Sequence, residues 1–281
     1  MRRSNRFVLT AAATALVGAV VFLPAAAAEP TTEDRAVEQF LLDSPIVEDK
    51  PLGQGITGAR KWRLEGEGTV RKAVFKTVDE YRAGNIRTTD MPFTANFSDS
   101  YKFDRAAYLL DRRLGLGRVP VVVLRSNSGV QGAVIEWIED TVDEGARVKG
   151  EGPEMTRRQV DLQQSMMKMF DSLISNDDRN LGNQLWAQDG SMRWIDHSRA
   201  FRTTKDVQPP FLNNPARLTR EVHEELESLG LTELTAMLGD LMSKKRIKAL
   251  LARRDKILAK IDSDLEAYGE FAVYAVEELS E

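Results

Sequence analysis

Asp178, Asn183 five positions on, and Asp196 thirteen further supply two carboxylates and an amide beside apolar, strand-like runs. Those oxygens suit a site that orients a hydroxyl and holds one or two Mg²⁺ ions, as phosphoryl transfer requires. Asp178 lies in a polar turn after a buried helix, where a carboxylate can orient or accept the acceptor proton. Asn183 offers a neutral oxygen to a metal, and Asp196 a charged one that bridges metal and phosphates. Alone, the run Asp177-Asp178-Arg179-Asn180 reads better as a polar turn with Asx-type caps. Its chemical reading depends on what lies upstream.

Upstream is Gly53-Gln54-Gly55-Ile56-Thr57-Gly58, a G-x-G-x-x-G shared by dinucleotide folds and kinases. A dinucleotide fold needs these glycines to open a helix. Here they run into Trp62 and Leu64, the hairpin-like Glu65-Gly66-Glu67-Gly68, and a strand-like segment ending on Lys76. Strand, glycine loop and strand form a phosphate-covering ribbon, and Lys76 is placed to meet the α- and β-phosphates of a nucleotide.

The elements that must position these groups follow from periodicity. Residues 29–43 read as a short helix on Ala36, Phe40 and Leu41. Residues 80–100 lack period and read as a loop over the cleft. Residues 103–114 form a helix with Phe103, Ala107, Leu110 and Leu114 on one face, and Gly115 to close it. Strand-like runs at 118–124 and 132–138 lead into an acidic stretch, 139–152, where a lobe boundary falls. Residues 155–174 make a buried helix whose Met166, Met167 and Met169 fill core. Strands 184–187 and 192–195 flank the Asp189-Gly190 turn, bringing Asn183 and Asp196 together. Amphipathic helices follow at 217–229, 232–241 and 244–268, the last opening on a basic run, 244–248, read as a solvated face.

Bulk properties narrow the class. The 281 residues contain no cysteine and two histidines, which excludes disulfides, thiolate chemistry and a His-rich metal centre. Arg2, Arg3 and Arg6 precede an apolar run, 7–23, and small residues at 24–28, the pattern of a cleaved signal peptide. Cleavage after Ala28 leaves 253 residues carrying a formal charge of −7. That charge disfavours nucleic acid as a partner, and no stable membrane span is expected once the signal is removed. The expected product is exported, periplasmic or secreted.

Taken together, Asp178-Arg179-Asn180-Leu181-Gly182-Asn183 resembles the D-R-H-x-x-N catalytic loop of the phosphatidylinositol kinase-like superfamily, which includes HipA-like kinases. Ile195-Asp196-His197 resembles that group's metal-binding aspartate segment, and Gly53, Gly55, Gly58, Lys76 and the helix from Asp104 resemble its N-lobe. Secretory-pathway protein and glycan kinases share the layout, and the likeness spans about residues 45–215. It implies an α+β, two-lobed protein-kinase-like fold with a small β-rich N-lobe (45–138) and a mostly helical C-lobe (139–281), preceded by a helical extension (29–44). It also implies ATP with Mg²⁺ or Mn²⁺, adenine contacting the backbone of Glu136, Trp137 and Ile138, and Asp104 as the helix carboxylate facing Lys76. Two positions depart from the pattern: Asn180 replaces the usual His, and Asp104 is one methylene shorter than the usual Glu, leaving Asp79 or Glu80 as other partners for Lys76. The expected function is γ-phosphoryl transfer to a hydroxyl on a protein, glycan or small molecule. AMP transfer and a nucleotide-binding pseudokinase are the alternatives.

Overall fold

The computed structural model describes residues 30–53, 58–86 and 94–274. Thr31 opens α1 (Thr32–Asp43) with a capping box, its hydroxyl accepting from the Asp34 amide while the Asp34 carboxylate accepts from the Thr31 amide. The chain then builds β1 (Ile46–Pro51), β2 (Arg60–Gly66) and β3 (Thr69–Lys76) as an antiparallel meander. With β6 (Val122–Asn127) and β7 (Val130–Glu136) it forms a five-stranded sheet of order β1-β2-β3-β7-β6. Trp62 stacks on Phe75 at 4.1 Å between ring centroids, so the alternation that makes these strands also fills the sheet's core face. Gly132 on β7 is forced by sterics, because a Cβ there would stand 2.4 Å from the Phe75 ring and 2.5 Å from the Lys76 carbonyl oxygen.

Residues 80–100 depart from the expected loop. They contain β4 (Asp79–Ile86) and β5 (Thr94–Ser100), an antiparallel hairpin that runs directly into α2 (Tyr101–Arg113). Asp79, Glu80, Tyr81 and Arg82 at the start of β4 include no aliphatic residue, so no apolar alternation marks that strand in the sequence. Helices α1 and α2 both pack on β6 and β7.

Past residue 140, β8 (Thr141–Asp143) leads to the short α3 (Glu144–Val148) and pairs with β9 (Gln184–Ala187), which pairs with β10 (Met192–Trp194). Between them runs α4 (Arg157–Ile174), capped by Thr156 and Gln159, with Met166, Met167 and Met169 buried as expected. The remainder is helical: α5 (Pro209–Leu212), α6 (Arg220–Ser228), α7 (Leu231–Leu238), α8 (Lys244–Tyr268) and α9 (Glu270–Val273). The architecture is thus α+β, a β-sheet N-terminal region followed by a helical C-terminal region. Among the described residues no helix is long and apolar enough to cross a membrane, and the expected signal peptide lies outside them.

Candidate active site

The loop that carries the candidate chemistry begins where α4 ends. Ser175 adopts a left-handed conformation (φ 54°), and the Asn176 amide donates to the Asp171 carbonyl at 2.8 Å, stopping the helix within one residue. Arg179 then fastens the loop. Its Nε and Nη2 donate to the two Asp171 carboxylate oxygens at 3.0 and 2.9 Å, and its Nη1 donates to the carbonyls of Asn183 (2.9 Å) and Ile195 (2.7 Å). A bidentate, largely buried guanidinium of this kind sets geometry rather than merely charge. Arg179 therefore ties the end of α4, the loop and the far strand of the β9–β10 hairpin to one another.

That hairpin has the expected role. Trp194 pairs with Gln184, and the Ile195 amide donates to the Asn183 carbonyl at 3.2 Å, so Asn183 and Asp196 flank its open end. Asn183 sits in a single 3₁₀ turn, Leu181–Asn183, and its Nδ2 donates to the Asp178 carbonyl at 3.3 Å, which turns its Oδ1 away from that carbonyl. Asp196 holds φ at 63°, a left-handed conformation that costs a non-glycine residue about 1 kcal/mol and is tolerated best by Asp and Asn.

Lys76 reaches this point from β3. Its Nζ donates to Asp196 Oδ1 at 2.8 Å and to Asp104 Oδ2 at 3.1 Å, joining the sheet, α2 and the post-hairpin segment in one cluster. Although burial opposes its charge, the Asp104 and Asp196 carboxylates hold Lys76 above the ordinary lysine range. The Lys76 charge in turn holds the Asp196 carboxyl down at about 2, against its own burial. Burial pushes Asp104 up, opposed by Lys76 and by the His197 amide, which donates to Asp104 Oδ1 at 2.8 Å. The shorter side chain at Asp104 thus spans to Lys76 directly. Asp79 pairs instead with Lys102 (2.7 Å) and Glu80 with Arg82 (2.9 Å).

His197 is buried with its Nε2 2.9 Å from Arg179 Nη2. A guanidinium only donates, so Nε2 accepts and the proton of the neutral ring sits on Nδ1. Burial, reinforced by the Arg179 and Lys76 charges, holds this imidazole well below its usual range. Asp178 is half-buried, and burial raises its carboxyl while Arg199 opposes the rise. Arg199 Nη1 donates to Asp178 Oδ2 at 3.3 Å and its Nε to Asp99 Oδ2 at 3.0 Å. This bridge from β5 to the loop was not foreseen in the sequence. Asn180, the departure from the expected His, is exposed, and its carbonyl accepts from the Asn183 amide and the Gln184 side chain at 3.2 Å each.

Of the expected nucleotide contacts, Gly53 and Gly58 bracket the β1–β2 connection with φ of 74° and 63°, and Gly55 lies outside the described residues. The Leu52 amide donates to the Ala59 carbonyl at 2.9 Å and closes the connection at its base. At 136–138 the Glu136 amide donates to the Val121 carbonyl (2.9 Å) and the Trp137 amide to the Lys72 carbonyl (3.2 Å). Both are spent within the protein. Among the described residues the Ile138 amide has no such backbone partner.

A divalent cation fits this donor set only with help. Asn183 Oδ1 and the ionised, partly exposed Asp196 carboxylate are suitable hard oxygens, yet among the described residues no three His, Asp or Glu converge to hold a metal by themselves. Mg²⁺ characteristically completes its shell with water and substrate phosphates, so the set suits a metal that arrives with a nucleotide.

No protein-family model matches the chain, and no curated protein matches it in sequence. Solved structures do match in fold. The Golgi casein kinase superposes with a TM-score of 0.60 at 17% identity, covering 88% of this chain and 80% of that one. A hydra Fam20 solved with sugar gives 0.66 at 16% identity, covering 91% and 97%. The Golgi casein kinase with Mn/ADP bound gives 0.60 at 18%, covering 87% and 80%. The chain accordingly shares the fold of these structures, a β-sheet region followed by a helical one.

Proposed function

We propose that this protein is an exported, ATP- and divalent-metal-dependent phosphotransferase that moves the γ-phosphoryl group to a hydroxyl of a protein, glycan or small molecule. The observation that carries the reading is the convergence of Lys76, Asp104 and Asp196 in one ion cluster, with Asn183 and Asp178 on the adjoining loop. The fold likeness to a kinase solved with Mn/ADP supports it independently. The signal-like N-terminus supports export.

In this reading the connection bounded by Gly53 and Gly58 covers the phosphates, and Lys76, oriented by Asp104, pairs with the α- and β-phosphate oxygens. Adenine lies at 136–138 with Ile138 as its backbone contact. Asn183 and Asp196 hold Mg²⁺ or Mn²⁺, which when bound neutralises charge on the phosphates. Asp178 orients the acceptor hydroxyl and takes its proton as the oxygen–phosphorus bond forms and the bond to the β-phosphate oxygen breaks, releasing ADP. Arg199 opposes the rise that burial imposes on Asp178 and occupies its Oδ2, leaving Oδ1 for the acceptor.

The test is incubation with γ-labelled and α-labelled ATP plus Mg²⁺ or Mn²⁺ and candidate acceptors. Label transferred from the γ position is expected. Transfer from the α position would replace the reading with AMP transfer. Nucleotide binding without either label would leave a pseudokinase.

A further inference from the structure

Arg199 bridges two carboxylates instead of forking onto one. Its Nε donates to Asp99 Oδ2 at 3.0 Å, and its Nη1 reaches only one Asp178 oxygen, Oδ2, at 3.3 Å. A guanidinium given a single carboxylate commonly turns two parallel N–H groups onto both oxygens, as Arg179 does on Asp171. On Asp178 such a fork would occupy the oxygen that the proposed transfer needs for the acceptor proton. We propose that Asp99 is a positioning residue that restrains Arg199 to one bond with Asp178 and so keeps Oδ1 open to the acceptor hydroxyl. The role rests on the proposed phosphotransfer; the restraint itself does not.

The slot that holds Arg199 is built by β5. Phe97 and Asp99 stand two residues apart, on one face of the strand, and the Phe97 ring lies 5.5 Å from the guanidinium carbon of Arg199. The next amide along, that of Ser100, donates to the Ser198 carbonyl at 2.8 Å and fixes the main chain immediately before Arg199. Both the path of the chain and the aim of the guanidinium are thus set from the β4–β5 hairpin. Asp99 is 3% exposed, whereas the Asp178 side chain is 35% exposed, so the bridge is anchored at Asp99 and open at Asp178. Burial opposes the Arg199 charge, and Asp99, ahead of Asp178, offsets it.

Stability is a poor account of this anchor. Asp99 Oδ1 is buried and has no hydrogen-bond partner among the described residues. A buried ion pair left partly unsatisfied contributes little beyond what an apolar pair of the same volume would. What Asp99 does supply is direction. Without its charge, Asp178 becomes the nearer counter-ion for Arg199, and the fork closes on both of its oxygens.

A double-mutant cycle on the full-length chain tests the inference, with ATP and Mn²⁺ and with γ-label released to water as the readout, so that no identified acceptor is needed. Asp99→Asn keeps the volume and removes the charge; kcat should fall about tenfold or more with the KM for ATP unchanged. In the double variant Asp99→Asn/Arg199→Gln no fork can form, so kcat should recover roughly threefold or more over Asp99→Asn alone. Asp99→Glu, which restores the charge, should regain part of the loss. Losses that multiply in the double variant, or a KM for ATP that changes in step with kcat, overturn the inference and leave Asp99 a structural residue. A crystal structure of Asp99→Asn decides the restraint without any turnover. Two bonds from Arg199 to Asp178 are expected, and a guanidinium still on Oδ2 alone overturns the restraint. A fork in that structure beside an unsubstituted protein that transfers no label would sustain the restraint and defeat the proposed transfer.

Discussion

His197 and Asp178 show how single residues in this site are set by their neighbours. His197 is buried neutral, accepting from Arg179, and it cannot take up a proton without breaking that bond. Between pH 6.5, where an unfolded imidazole titrates, and its depressed native value, the unfolded chain binds one more proton than the native one. Stability should therefore fall on acidification through that window by about 1.4 kcal/mol per pH unit. Thermal melts of the protein and of His197→Gln between about pH 7 and 5 check this, because the variant should lose that part of the slope. Asp178→Ala should lower turnover by roughly 10²–10⁴ while leaving nucleotide affinity unchanged, measured by label transfer and by calorimetry. Unaltered turnover would remove Asp178 from its assigned role. Lys76, Asp178, Asn183 and Asp196 could be singled out in the sequence by residue type and order, and the structure brings Lys76 to Asp196 and Asn183 to the Asp178 carbonyl. Arg179 and Arg199 could not be, since a guanidinium in a polar run has no periodicity to mark it as buried, and each makes its bonds to groups far along the chain.

At the scale of elements, the loop is no more rigid than its attachment to α4. Arg179 provides that attachment through Asp171, Asn183, Ile195 and His197. Removing one partner of a buried pair costs about 3–5 kcal/mol, so Arg179→Ala should lower the melting temperature by roughly 6–20 °C and abolish turnover. Arg179→Lys keeps the charge but not the planar fork, and should recover part of the stability with little of the activity. Scanning calorimetry and label transfer on the two variants separate the outcomes. The helices around this loop were readable from their 3.6-residue period, as α2, α4 and α8 demonstrate, with ends shifted by a few residues. The β4–β5 hairpin was hidden because its polar strands form a separate two-stranded sheet and lack the alternation that burial on one face imposes. The short α5 and α9 carry too few residues for any period to register.

Across the whole molecule, Lys76 on the N-terminal sheet meets Asp196 beyond the C-terminal hairpin, so the two regions are joined at the cluster to which the proposed function assigns phosphates and metal. Asn183 and Asp196 offer a metal one neutral and one charged oxygen, too few to hold Mg²⁺ in water without phosphate oxygens from the ligand. Binding of metal and nucleotide should consequently be mutually dependent. At a hundredfold excess over Kd, ATP with Mn²⁺ should stabilise the protein by about 2.7 kcal/mol, a rise of roughly 5–11 °C in melting temperature. Either component alone should give much less, and Asp196→Ala should erase the metal-dependent increment while retaining a fold detectable by its own melt. The Asn183–Asp196 assignment predicts this synergy specifically, because a self-sufficient metal site would respond to Mn²⁺ alone. A full shift with Mn²⁺ and no nucleotide would place the metal elsewhere and detach it from the cluster that Lys76 organises.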